Sequence, residues 1–249
     1  ATTACCSQAS KAREGAAAAS AVVTGYAPDP SPPAEAATKL YSSGQQGSGQ
    51  YVLNTVKERS ASRAAKINPF RVKVETSLHT DPDAVARQVL QVLDDPRGWA
   101  SYGKNSFDLV NADAPGQLTF VLASPPTVDG LCGADKTQGK WDCRVGDTVV
   151  LNSDRWFYKT PTFESLGDYR AFMINRQVGF WLGQQTASCR HAGAYAPVMA
   201  DQGKTLDGCL ANPWPRDAGT KPTAAPSRAA TTPAPAAPAP PPCHIASST

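Results

Sequence analysis

Residues 165–182 read SLGDYRAFMINRQVGFWL, and this stretch limits the possible fold more than any other part of the chain. Its apolar residues recur at helical spacing on more than one side. One side carries Ile174, Val178, Trp181 and Leu182, and another carries Tyr169, Met173, Arg176 and Phe180. A helix with this pattern is buried, or it is covered by a second lobe, so a substantial structure must surround it.

The segments before this helix predict a sheet. Residues 70–76 alternate apolar and charged positions, which is the period of a half-buried strand. Strand composition also marks residues 49–56, 117–124 and 147–152. Asp81, Pro82 and Asp83 are typical of a helix start and precede an apolar stripe. We therefore expect an α+β fold, in which a mixed β-sheet carries two main helices and a smaller, irregular C-terminal lobe follows.

Composition divides the chain into three parts. Residues 1–48 and 216–249 are rich in Ala, Ser and Pro and hold few apolar side chains to offset the entropy of folding. We expect both to be disordered, with the Pro/Ala-rich tail extended. Residues 49–215 remain as one domain, which is long enough for a core of its own. We expect this domain to be a monomer.

The charge of the chain excludes some partners. Its 24 Lys and Arg residues and 21 Asp and Glu residues give a net charge of +3, and no block of one sign stands out. Nucleic acid is therefore not expected to bind. Because no run of about 18 apolar residues occurs, no transmembrane segment is expected either.

The cysteines allow two interpretations. Of seven, four fall within the domain: Cys132, Cys143, Cys189 and Cys209. They are either reduced, buried thiols or two disulfides, Cys132–Cys143 and Cys189–Cys209, the pairing that closes two local loops. Disulfides would indicate a secreted or cell-envelope protein, whose signal or anchor we then expect upstream of residue 1. No pairing is predicted for Cys5, Cys6 and Cys243.

Residues 176–186 follow the spacing of a zinc-protease helix. In zincins, H-E-x-x-H places two histidines on one helix face and supplies a glutamate as general base. A longer form adds a glycine that ends the helix and a third histidine, and a Met-containing turn lies under the metal. In this chain the positions are Arg176, Gln177, Phe180, Gly183 and Thr186, so only the glycine matches.

The sequence around this helix carries a family resemblance. YRAFMINRQVGFWLG leads to Cys189, to APVM at 196–199 and to NPWP at 212–215. Before it stand DDPRGW at 94–99, LASP at 122–125, LCG at 131–133 and VVLNSDRW at 149–156. In order and spacing these pieces resemble an actinobacterial family of exported domains of unknown function with a zincin-like metallopeptidase fold. The resemblance covers residues 49–215 and implies that fold, with Met199 in the Met turn.

The chain departs from that family at the chemical positions, where the family carries His, Glu, His and His. Arg176 has no lone pair for a metal, Gln177 cannot serve as a carboxylate base, and neither Phe180 nor Thr186 is a good zinc ligand. We therefore predict no catalytic residue, no zinc and no other cofactor, and a pocket filled by Arg176, Phe180 and Trp181. The carboxylate that a buried Arg176 needs could come from Glu164, Asp168 or Asp201.

Two functions of different classes follow. The first is a pseudoenzyme, an exported binding or scaffold module whose cleft takes an extended peptide or an envelope protein by strand addition. The second is an enzyme, either a metallopeptidase with ligands from elsewhere or a hydrolase that uses Asp or Glu residues. His191 could be a displaced ligand or a surface loop residue. We expect His79 in a turn and His244 in the disordered tail.

Overall fold

The computed structural model describes residues 25–114 and 116–216. In these ranges the strands are β1 (Tyr51–Leu53), β2 (Lys66–Glu75), β3 (Asn105–Leu109), β4 (Leu118–Ala123), β5 (Cys143–Val145) and β6 (Thr148–Asn152). The helices are α1 (Pro82–Leu93), α2 (Pro125–Cys132), α3 (Ala134–Thr137), α4 (Ser153–Tyr158) and α5 (Leu166–Trp181). Residues 1–24 and 217–249, which include Cys5, Cys6, Cys243 and His244, lie outside the described residues, and so does the disorder expected there.

The six strands form one mixed sheet in the order β1-β2-β4-β6-β5, and β3 pairs with the first half of β2. Strands β2, β3, β4 and β6 pair in parallel, whereas β1 and β5 are antiparallel to their neighbours. The predicted α+β class with a mixed sheet is therefore confirmed. The short strand β5 stands at one edge of the sheet, beside β6.

The core lies on both faces of the sheet because successive strand residues point to opposite sides. In β4, Phe120 and Leu122 face a large cluster that α1 and α5 complete. Val121 and Ala123 face a smaller cluster that α2 completes. Helix α5 is thus buried against one face of the sheet, as its apolar pattern predicted.

The helix boundaries follow local chemistry. Asp81 caps α1, since its carboxylate accepts a hydrogen bond of 2.9 Å from the backbone N–H of Asp83. Ser165 caps α5 in the same way. After α5 the chain turns at Gly183, whose φ of 83° lies in the left-handed region that favours glycine. The predicted start of α1 and the predicted end of α5 are both confirmed.

Other elements differ from expectation. The predicted strand 117–124 is followed directly by α2, which begins at Pro125–Pro126 because proline fits the first turn of a helix. The polar segment between Cys132 and Cys143 contains the short helix α3, which was not predicted. Strands β3 and β5 were not predicted, because they lie in mostly polar segments without the run of β-branched and apolar residues that marked the other strands.

Both predicted disulfides form, so the alternative of reduced thiols is wrong. The Cα atoms of Cys132 and Cys143 are 6.3 Å apart, and those of Cys189 and Cys209 are 5.8 Å apart. Such bonds are compatible with an oxidising, extracellular environment. In the described part of the chain no helix has the length and apolar character to cross a bilayer.

Residues 25–48 pack against the domain, although their composition predicted a disordered linker. Ser43 donates from its backbone N–H and its hydroxyl to the carboxylate of Asp154, at 3.0 and 2.5 Å. The guanidinium of Arg155 donates to the carbonyl oxygen of Tyr41. Asp154 and Arg155 are both 1% exposed. A few hydrogen bonds to buried charged groups hold this segment, and composition does not reveal them.

Candidate functional site

The five positions that match the zincin spacing converge on one cleft. This cleft has a volume of about 510 Å³. Arg176, Gln177, Phe180, Gly183 and Thr186 all contribute to its lining. The first three project from α5, and the last two follow the turn that ends this helix. The five positions thus line one cleft, and their side chains are not those of a metal centre.

The opposite wall of the cleft comes from the edge of the sheet. Asp142, Cys143 and Arg144 line the cleft there, and the last two belong to β5. β5 pairs with β6 on one side, and the disulfide Cys132–Cys143 ties it to the end of α2. The cleft therefore runs between a helix and an edge strand that a covalent bond holds in place.

A smaller pocket of about 190 Å³ adjoins the cleft and shares Asp142, Arg176 and Gln177 with it. Aromatic and apolar side chains form much of its wall, namely Trp141, Tyr169, Phe172 and Met173. Lys136 and Lys204 also line it. The side chain of Arg176 therefore lies at the boundary between the cleft and the smaller pocket.

Arg176 is only loosely paired. Its Nη2 atom lies 3.4 Å from a carboxylate oxygen of Asp201, and its side chain is 18% exposed. The guanidinium also lies over the ring of Phe180, with 4.9 Å from Cζ to the ring centroid. Its buried Nε has no hydrogen-bond partner among the described residues. The predicted carboxylate partner is thus present, but it leaves much of the donor capacity of Arg176 unused.

The residues at the positions that the zincin spacing would assign to a metal do not fit zinc. Zinc in catalytic sites takes three protein ligands with nitrogen, sulfur or carboxylate oxygen donors. Here a guanidinium, an amide, a benzyl group and a hydroxyl occupy those positions in Arg176, Gln177, Phe180 and Thr186. Among the described residues no three His, Cys, Asp or Glu side chains form a group that could hold a metal ion. We derive no step that involves zinc.

Asp142 has an unusual environment. Burial raises its pKa to about 7, although a hydrogen bond of 2.7 Å from the N–H of Asn152 and the positive charges of Arg155 and Arg176 act in the opposite direction. Burial and the nearby charge of Asp142 together raise the pKa of Tyr169, so this phenol stays protonated. Near neutral pH the pocket thus contains a carboxyl group that can exchange a proton.

The side of α5 next to the cleft residues is tightly packed. We call it the packed face, and it consists of Asn175, Gly179 and the residues that contact them. A Cβ added at Gly179 would collide with Met199 and lie 2.8 Å from the ring of Trp99. The indole N–H of Trp99 donates to the carbonyl oxygen of Asn175 at 2.8 Å, and the Asn175 amide donates to Pro213 at 3.0 Å. Met199 therefore lies under α5, where the resemblance places the Met turn.

The separate sequence pieces meet on this face. The guanidinium of Arg97, from DDPRGW, lies 4.0 Å from the ring centroid of Trp214, from NPWP. Asn212 ties NPWP to the preceding segment by donating to the carbonyl oxygen of Ala196 at 3.0 Å. These pieces are thus parts of one packed structure around α5.

A family model for a protein of unknown function, DUF3152, matches residues 39–218. The chain belongs to the DUF3152 family. No curated protein and no solved structure matches it. The DUF3152 match begins before residue 49 and so includes Tyr41 and Ser43, which anchor the N-terminal segment. The zincin-like fold, the actinobacterial origin and export remain predictions.

Several expectations for this DUF3152 chain need correction. Trp181 does not fill the pocket, because its indole N–H donates to Asp147 on another side of α5. An open cleft remains beside Arg176 and Phe180, not a filled cavity. Among the described residues Asp201 is the acidic partner of Arg176, and the candidates Glu164 and Asp168 make no ion pair with it.

Neither described histidine of this DUF3152 chain lines the cleft or the pocket, whereas Asp142, which was not predicted, lines both. His191 is exposed and outside the lining of both the cleft and the pocket. His79 ends a short 3-10 turn with φ 51°, as a turn residue would. Asp142 was missed because a lone acid in a polar segment gives no pattern. Its position before Cys143 was the one usable signal, since the disulfide fixes it at the cleft.

Proposed function

We propose that this domain is a non-catalytic, exported binding module with a zincin-like fold, and that its cleft takes an extended peptide segment of an envelope protein. The observation that carries the proposal is the lining of the cleft. The positions of a catalytic helix converge there, yet they present Arg176, Gln177 and Phe180 in place of metal ligands. The chain thus has a cleft that could bind a peptide, but the residues at those positions lack the groups needed for metal-dependent peptide hydrolysis.

The edge strand supports an extended ligand. β5 lines the cleft through Cys143 and Arg144, and its pairing with β6 uses one of its two sides. An extended peptide can add to such an edge through backbone hydrogen bonds, while its side chains enter flanking pockets. The adjoining pocket of about 190 Å³ is suited to one such side chain.

Helix α5 and its surroundings support the zincin-like fold. The helix is followed by a turn at Gly183, and Met199 packs against Gly179 within the turn of helix that would carry the first two ligands. The disulfides Cys132–Cys143 and Cys189–Cys209 support export, because such bonds persist in oxidising compartments.

Peptide binding is the direct test. A panel of labelled, extended peptides is titrated by fluorescence polarisation, and each peptide has a twin with alternate backbone amides N-methylated. Strand addition predicts that N-methylation abolishes binding and that NMR amide shifts concentrate at residues 142–145 and 176–186. Shifts confined to β1, at the other edge of the sheet, or equal binding of the methylated twins would refute it.

Restoring the metal ligands tests the fold. The variant with Arg176→His, Gln177→Glu, Phe180→His and Thr186→His is expected to bind zinc at one equivalent by elemental analysis, while the wild-type chain is the matched control. A folded variant with no zinc would argue against the zincin-like assignment. Circular dichroism and thermal unfolding establish whether the variant is folded.

Asp142 favours a second candidate, a hydrolase that uses a carboxyl group. A carboxyl group whose pKa is raised to about 7 inside a cleft is suited to general acid–base work at neutral pH. The test is turnover of peptide and ester substrates with Asp142→Asn as control. Hydrolysis by the wild-type chain that Asp142→Asn abolishes would favour this candidate over the binding module.

A further inference from the structure

Arg176 is the residue of the cleft that best indicates the chemical class of a ligand. In the described part of the chain its guanidinium has one ion pair, at 3.4 Å, and that distance is longer than a charge-assisted hydrogen bond. Its Nε is buried without a partner. A guanidinium has five N–H donors in a fixed fork that matches a carboxylate. Arg176 therefore has donor capacity for a second anionic group.

Asp201 does not satisfy Arg176 because it is shared. The Nζ atom of Lys204 lies 2.9 Å from one oxygen of Asp201, closer than Arg176 lies to the other oxygen. The side chain of Asp201 is also 39% exposed, so water weakens both pairs. Arg176 thus keeps most of its positive charge available toward the pocket.

The charges around the boundary favour an anion. Four cations line the cleft and the pocket, namely Lys136, Arg144, Arg176 and Lys204. Two acidic groups, Asp142 and Asp201, face them. Burial also makes ionisation of Asp142 unfavourable, so its negative charge is only partly present near neutral pH.

The walls of the pocket strengthen such an interaction. Phe172 and Met173 are buried core residues, and the Tyr169 ring is 1% exposed. Apolar walls lower the local dielectric constant, which makes a charge pair stronger than it is in water. The volume of about 190 Å³ admits one side chain or a chain terminus, not a folded partner.

We propose that the pocket beside Arg176 is a carboxylate subsite, which takes an acidic side chain or the terminal carboxylate of a peptide, with Arg176 as the main donor and Lys136 and Lys204 as supporting cations. This assignment rests on the proposed binding function, because it gives the chemistry of the peptide group that enters the pocket. It would account for an arginine at the position where the zincin spacing calls for a zinc ligand.

The first experiment uses a small probe that does not depend on strand addition. N-acetylglutamate is titrated into the full chain at fixed ionic strength, and the arginine Nε–Hε signals are followed by NMR. The Arg176 signal is expected to shift saturably. Arg176→Gln should weaken binding by about tenfold or more, and Arg176→Lys should restore only part of it.

A matched variant controls for net charge. Arg190 is exposed and outside the lining of both the cleft and the pocket, so Arg190→Gln removes the same charge elsewhere. It should bind N-acetylglutamate as the wild-type chain does. Equal weakening by Arg190→Gln and Arg176→Gln, or sulfate binding as tightly as N-acetylglutamate, would overturn the subsite.

The second experiment separates the two sources of carboxylate. Extended peptides that bind the cleft are compared in four forms, with a terminal Glu or Gln and with a free or amidated C-terminus. Loss on amidation alone assigns the terminal carboxylate, and loss on Glu to Gln alone assigns the side chain. Equal binding of all four forms would overturn the subsite and leave the peptide cleft standing. Binding of N-acetylglutamate without any peptide binding would support the carboxylate subsite and refute the peptide-binding cleft.

Discussion

Two faces of α5 lie next to each other and are built in opposite ways. The packed face has no space for a larger side chain, since Met199 and Trp99 fill the volume that a side chain at position 179 would need. The cleft face, formed by Arg176, Gln177 and Phe180, borders a cleft and a pocket. Its guanidinium lacks a full set of partners among the described residues. One face is therefore built for stability, and the other is left accessible to a ligand.

Each face has its own disulfide. Cys189–Cys209 joins segments on either side of Met199, which supports the packed face. Cys132–Cys143 fixes the start of β5, which forms the far wall of the cleft. The two bonds allow the faces to be perturbed separately.

The largest effect should come from the disulfides. Replacing Cys189 and Cys209 by alanine should lower the free energy of unfolding by about 3 kcal/mol, because the unfolded chain gains entropy. Replacing Cys132 and Cys143 should cost slightly less, since 11 residues separate that pair and 20 separate the other. Urea denaturation measures both losses.

Ligand binding then distinguishes the two disulfide variants. The variant without Cys132–Cys143 should lose affinity for peptides, because β5 lines the cleft, whereas the other variant should keep it while folded. If both variants bound peptide equally well, the cleft would not depend on the position of β5.

The next largest effect tests the packed face. Gly179→Ala should destabilise the chain by about 2 kcal/mol, because the new Cβ collides with Met199 and Trp99. Gly167→Ala, on the same helix, is the matched control. The nearest atom to its added Cβ is at 3.5 Å, so it should stabilise the chain by about 0.5–1 kcal/mol through helix propensity. Thermal unfolding that shifted in the same direction for both variants would contradict the close packing.

Sequence patterns predicted the elements of the fold that are determined by neighbouring residues. Residues 70–76 showed the strand period, and Asp81 with Pro82 showed the helix start, because both signals are local. Strand β5 could not be found in this way, since three residues carry no period and its place depends on pairing with β6. Residues 25–48 were misjudged because hydrogen bonds to buried Asp154 and Arg155 hold them.

The residues that line the cleft were predicted in part: the spacing identified five of them but not Asp142. The zincin spacing brought Arg176 to Thr186 together correctly, since helix geometry fixes those positions. The choice of Asp201 as partner, the position of Trp181 and the role of Asp142 depend on long-range packing. Residues 142 and 176 are adjacent only because the sheet places β5 beside α5, and a linear pattern does not contain that information.

The third-largest effect on the free energy of unfolding should come from Asp142, and this effect depends on pH. Its pKa in the folded chain is about 7, against an ordinary value of 3.8, so the folded state binds this proton more tightly. The contribution of Asp142 to the free energy of unfolding should therefore fall as pH rises from about 4 to about 7. Below about pH 4 this contribution should be constant. Asp142→Asn keeps an acceptor for the Asn152 N–H and removes the fall.

The expected gain for Asp142→Asn is roughly 1–2 kcal/mol near pH 8 and none near pH 4, because part of the residue is exposed and water screens the charge. Urea denaturation at several pH values measures it. Asp207→Asn, an exposed carboxylate outside the cleft, is the control and should show no such trend. Carboxylate binding should also strengthen in Asp142→Asn, and an unchanged stability profile would mean that Asp142 ionises normally.

The smallest effect on stability should come from the cleft face itself. Arg176→Met should change the free energy of unfolding by less than about 1 kcal/mol, because the single ion pair is loose and partly exposed and a buried donor without a partner is removed. Arg155→Met is the comparison: that side chain is 1% exposed and donates to the carbonyls of Lys159 and Tyr41. Its loss should cost several times more, since those acceptors lose their donor. Urea denaturation and N-acetylglutamate titration on the same samples show whether Arg176 serves stability or binding. An arginine that stabilises the fold would lower both stability and binding when replaced, whereas an arginine kept for a ligand lowers binding alone.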